Sequence, residues 1–178
     1  HKKNCARKAA EELFAAHKSG CSILNLFYFH PELESLGKWE RQLFAESLGK
    51  EKDLAGNIVH AGITPMVSIA STDLHSMAQL YFGGPRDKFT MLIRREEKRE
   101  EQVPKDGPLA RLVLGLGGKS SADITDAIYG GVAAAYNRFG TATANLPESN
   151  WILTNNDLLI SGDLYVVLHV KTHEIFQR

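Results

Sequence analysis

Several things are scarce in this sequence, and each shortage removes a class of protein. There are two cysteines in 178 residues, Cys5 and Cys21. A disulfide framework is thereby excluded, and the two thiols read as reduced residues of a cytoplasmic protein. An excess of one charge is also lacking: 21 basic residues balance 21 acidic ones, and the calculated pI is near 7.2. A nucleic-acid partner, which calls for a basic face, is not expected. No apolar run approaches the ~20 residues of a membrane-spanning helix, so neither a membrane span nor a secretory leader is expected. Internal repeats and low-complexity stretches are missing too. No Met precedes "HKKNCARKAAEELFAAHKSG" and no cap follows "HEIFQR", so the expectation is a piece of a longer protein.

What remains is an alternation of helical and strand-like segments. Ala6, Ala9, Ala10, Leu13, Phe14 and Ala16 fall on one face at helical spacing, which predicts a helix over 4–18, with Asn4 as N-cap and Gly20 as stop. "SILNLFYF", 22–29, is a near-continuous apolar run of the kind a strand buried on both faces requires. A second helix is predicted from about Glu32 to Gly49, carrying Trp39, Leu43 and Phe44. "KDLAGNIVHAGIT" reads as a polar loop. "PMVSIA", 65–70, reads as a strand, "STDLHSMAQLYFGG" as a helix capped by Ser71, Thr72 and Asp73, and "KFTMLIR", 88–94, as a third strand. "RREEKREE", 94–101, mixes both charge signs and reads as a solvated segment. "SADITDAIYGGVAAAYNRFG" predicts a helix over 121–138. The stretch 151–178 is ambiguous; "LYVVLHV" is read as helical, with Asp157 near its cap. Strand and helix in strict alternation indicate an α/β fold with a mainly parallel sheet in a single domain.

Three motifs invite chemistry. "LGLGGKS" resembles the tail of a phosphate-binding loop, but that pattern demands a further glycine where Val113 stands. A plain helix start at Ser120 is the better reading. His169 and His173 stand four apart with Glu174 beside them, yet a metal site needs at least a third ligand, and surface histidines account for the pair. No metal is therefore assigned. Glu46 and His75 are different. His75 follows the strand 65–70, where open α/β sheets gather their ligands, and Glu46 ends the helix that leads into the same strand. A carboxylate and an imidazole near one crevice can move protons, the first on a carbon acid and the second on an oxygen.

"WERQLFAESLGKE", 39–51, and "GITPMVSIASTDLHSMAQLYFGGPRDKF", 62–89, resemble two segments of the phosphoglucose isomerase family, with "ELESLGKW" and "SADITDAIYGGVAAAYNRFG" agreeing at the flanks. The resemblance implies a second sugar isomerase (SIS) domain: a three-layer αβα sandwich around a mainly parallel five-stranded sheet. It places Glu46 on the general base that carries a proton between C1 and C2 of the open-chain sugar phosphate through a cis-enediol. His75 falls on the residue that assists ring opening, and Gln42 on a substrate contact. It implies no cofactor, an N-terminal SIS domain in the same protein, and a homodimer in which the histidine reaches the neighbour's site. The family's phosphate-holding residues and its arginine belong to the other domain. Its lysine follows a motif that this chain lacks, and Lys171 does not match it. A non-catalytic phosphosugar-binding module is the alternative the resemblance leaves open.

Overall fold

The computed structural model describes residues 5–95, 101–140 and 152–153. In chain order its elements are α1 (Cys5–Lys18), β1 (Ile23–Tyr28), a 3-10 turn (Pro31–Leu33), α2 (Glu34–Leu48), β2 (Lys50–Lys52), β3 (Ile58–Ala61) and β4 (Thr64–Ile69). Then follow α3 (Thr72–Ser76), α4 (Ala78–Gly83), β5 (Lys88–Arg95), α5 (Pro108–Leu112), α6 (Ser121–Phe139) and β6 (Ile152–Leu153). The most apolar run, β1, lies in the middle of a parallel sheet of order β4-β1-β5-β6. Leu26 sits opposite Val67 on one side and Met91 on the other. Burial on both faces is why its sequence shows no alternation of apolar and polar residues.

The two faces are nonetheless distinct. Leu24, Leu26, Tyr28, Phe89 and Met91 point to one face and pack under Ala9, Ala10 and Leu13 of α1 and Phe44 and Leu48 of α2. Phe27 and Phe29 point to the other, with Tyr81 of α4 and Val132 and Tyr136 of α6. These are the three layers of an αβα sandwich. The expected count of five strands is not reached among the described residues, where the sheet has four. The helix read for 164–171, the Asp157 cap and the histidine pair fall outside the described residues.

Three readings need correction. The segment read as a polar loop is an antiparallel hairpin, β2–β3. Its reversal is built on Asp53, whose Oδ1 accepts from the N–H groups of Ala55 and Asn57, both at 2.9 Å. β3 is exposed throughout and β2 nearly so, so no apolar alternation advertises the pair. The helix expected after β4 is two short ones, broken at Met77. Ser71 makes no side-chain cap. Asp73 anchors the first piece instead, accepting from Ile69 N at 2.7 Å and from Ser76 Oγ at 2.9 Å. The second is anchored in the sheet's interior, where the Tyr81 hydroxyl lies 2.6 Å from Ser68 Oγ. Finally, Arg94 and Arg95 open the charge run but are only partly exposed, each held by a carboxylate of another element. Arg95 pairs with Glu32 at 2.6 Å, and Arg94 pairs with Asp126 while its guanidinium lies 4.7 Å over the Tyr129 ring.

Candidate active site

The helix α2 carries the residues of interest. Gly37 sits where a Cβ would come within 2.7 Å of the Tyr28 ring and 2.8 Å of Val67, so glycine lets the helix lie close on β1 and β4. Phe44 and Leu48 bury its inner face. On its outer face, Gln42 and Glu46 stand one turn apart, and Gln42 Nε2 donates to Glu46 Oε1 at 3.0 Å. Lys50, at the start of β2, reaches back to the Glu46 main-chain oxygen at 3.3 Å. Glu46 is exposed, and its second carboxylate oxygen accepts no hydrogen bond among the described residues. One oxygen is oriented by an amide while the other is open to a substrate proton, which is the arrangement a general base needs.

Beside this pair lies an open hollow of about 680 Å³, bounded by Lys38, Trp39, Arg41, Gln42, Ala45 and Pro65. Gln42 belongs to both features. On the inner side of the same helix, Glu40 receives a hydrogen bond from the Tyr28 hydroxyl. Burial pushes its carboxyl up to about 7, against the smaller lowering effect of that hydrogen bond.

His75 is elsewhere. Gly62, just ahead of β4, lies so close to the end of α2 that a Cβ there would be 3.4 Å from Gly49 Cα. Glu46 is therefore at the amino end of β4. His75, exposed in α3, comes after its carboxyl end. The strand between them has six residues, about 20 Å of extended chain. The structure brings Gln42 and Glu46 together and holds His75 apart from both, so the expectation of one shared crevice is not met within a chain. A crossover helix runs back antiparallel to its strands, and the end of α2 is consequently at the opposite rim from the loop after β4.

The glycine segment ahead of α6 offers no anion cradle. Ser120 Oγ accepts from Asp123 N at 3.1 Å, and Ser120 N donates to Asp123 Oδ2 at 2.9 Å, so a capping box occupies the helix start.

No family model matches the chain. Curated relatives do. Over 133 residues it is 31% identical to a probable glucose-6-phosphate isomerase of Halobacterium salinarum, covering 75% of this chain and 29% of the relative. Over 149 residues it is 30% identical to the glucose-6-phosphate isomerase of Pediococcus pentosaceus, covering 82% and 31%. A probable glucose-6-phosphate isomerase of Haloarcula marismortui is 35% identical over 91 residues, 51% of this chain and 19% of that protein. The chain is similar to part of a glucose-6-phosphate isomerase. It spans less than a third of the length of these relatives. The fold is shared with a crystal structure of a hypothetical protein from Thermus thermophilus, at TM-score 0.71 and 22% identity, over 96% of this chain and 38% of that one.

Proposed function

We propose that this chain is the C-terminal SIS domain of a cytoplasmic glucose-6-phosphate isomerase, interconverting glucose 6-phosphate and fructose 6-phosphate. Glu46 removes the proton from C2 of the open-chain aldose. The electron pair of that C–H bond forms the C1–C2 double bond of a cis-enediol as the carbonyl oxygen gains a proton. Glu46 then returns its proton to C1 as the C2 hydroxyl gives up its own and the ketose carbonyl forms there, so that overall one proton passes from C2 to C1 and one from O2 to O1. A single carboxylate serves both carbons because they are adjacent, and a cis arrangement keeps both within its reach. Gln42 holds the carboxylate in place and contacts the substrate. His75 assists ring opening in the site of a second copy, and an N-terminal SIS domain of the same protein supplies the phosphate-binding groups. No cofactor takes part.

The observation that carries this reading is the oriented Glu46, with one oxygen engaged by Gln42 at 3.0 Å. Similarity to curated glucose-6-phosphate isomerases, at 30–38% identity over parts of the chain, supports it. The test is an isomerase assay on the full-length protein. Glu46→Gln should lower kcat roughly 10²–10⁴-fold, the usual worth of a positioned base. Unchanged turnover would remove Glu46 from the role.

A further inference from the structure

The helix α3 is five residues long and none of them is buried. Leu74 packs only partly against the apolar layer on that face of the sheet. Apolar burial therefore contributes little to where this piece sits. His75, exposed within it, has no hydrogen-bond or ion-pair partner among the described residues, so its ring stands where the backbone puts it. One side chain fixes that backbone. β4 is an edge strand. Thr64 N donates to Ser22 O and Ala70 N to Tyr28 O, each at 2.8 Å. The even-numbered N–H groups of the strand thus face β1, and that of Ile69 faces outward. Asp73 Oδ2 takes this outward donor at 2.7 Å, and Oδ1 accepts from Ser76 Oγ at 2.9 Å. One carboxylate ties the end of the strand to both sides of His75.

We infer that Asp73 is a positioning residue for His75, setting where the imidazole stands at the carboxyl rim of the sheet. Asp73 acts through the helix and needs no substrate contact. The inference rests on the ring-opening role proposed for His75. A hydrogen bond from a main-chain N–H to a carboxylate is about twice as strong as a neutral one, and here it takes the place of the side-chain cap that Ser71 does not make. The demand for such an anchor is chemical. A group that moves a proton has to lie within hydrogen-bond reach of it, and a misplacement of about 1 Å can cost on the order of 10²-fold in rate.

A double-mutant cycle in the full-length protein tests this, read as kcat and KM in the isomerase assay. Asp73→Ala should lower kcat roughly 10- to 100-fold while KM moves less than about twofold. Asp73→Asn should stay within about threefold of the parent, because its amide oxygen still accepts from Ile69 N and its NH₂ still reaches Ser76 Oγ. Ser76→Ala removes only the second bond and should cost about two- to fivefold, which keeps the test open if Asp73→Ala fails to fold. The deciding comparison is made in a His75→Ala background. There both Asp73→Ala and Ser76→Ala should change kcat by less than about twofold, because the group they position is gone. A loss as large with His75 absent as with it present would assign Asp73 to the fold at large and overturn the inference. So would full activity in both Asp73→Ala and Ser76→Ala. His75→Ala separates the two proposals. If it turns over at the parent rate, the role of His75 falls and this inference with it; if it is slow while both anchor variants are silent, only this inference falls.

Discussion

At the scale of single residues, the most telling side chain beside the site is Glu40, which faces inward one turn ahead of Phe44. Its folded pKa is raised from 4.5 to about 7, so between those values the folded state keeps a proton that the unfolded chain has lost. Stability is then fully present below about pH 4.5 and falls as pH rises through about 7, by on the order of 3 kcal/mol. Glu40→Gln, which can still accept from the Tyr28 hydroxyl, should flatten this dependence and raise the urea midpoint at pH 8. A midpoint with the same pH slope in both proteins would contradict the assignment. Gly37 makes a second residue-scale prediction. Alanine is the better helix former, but its methyl group would press on Tyr28 and Val67 at 2.7 and 2.8 Å. We expect Gly37→Ala to cost about 1–3 kcal/mol by overpacking, measured by urea denaturation.

At the scale of elements, α6 shows how a short polar signal sets a boundary. Ser120 and Asp123 satisfy each other's main-chain N–H groups, and Gly140 closes the helix in the left-handed conformation at φ 59°. Ser120→Ala should cost about 1 kcal/mol, a fall of roughly 2–4 °C in Tm for a chain of this size. The same logic explains which elements could be read in advance. α1, α2, α6 and the strands β1, β4 and β5 bury apolar faces, so their periodicity or apolar runs announce them. The β2–β3 hairpin is held by Asp53 and its turn rather than by a core, and the break at Met77 lies between two anchors to neighbouring residues of β4, Asp73 on Ile69 and Tyr81 on Ser68. Neither leaves a periodic trace.

At the scale of the whole molecule, the sheet itself separates Glu46 from His75. If a site draws its glutamate from one copy and its histidine from another, mixed oligomers behave distinctively. Full-length Glu46→Gln and His75→Ala proteins, each nearly inactive, should regain activity when their subunits are exchanged. In a closed two-fold dimer with random mixing, roughly a quarter of the sites would carry both groups intact. Should both groups serve one chain's own site, every mixed site would lack one of them and no activity would return.

Local chemistry settled much of this protein before any fold was drawn. The apolar run of β1, the helical spacing around Phe44 and the cap at Ser120 act between near neighbours, and so they appear in the linear order of residues. The segment "WERQLFAESLGKE" likewise put Gln42 one helical turn before Glu46, close enough to bond. Only the tertiary structure decided which rim of the sheet each group occupies. It also decided that Arg94 and Arg95 are partly covered and that Lys38, Trp39 and Arg41 border a hollow with Pro65. The hollow depends on the direction in which α2 returns across β1 and β4, and the cover over Arg94 and Arg95 on where α6 and the turn at Glu32 come to lie; contacts between residues distant in the chain set both.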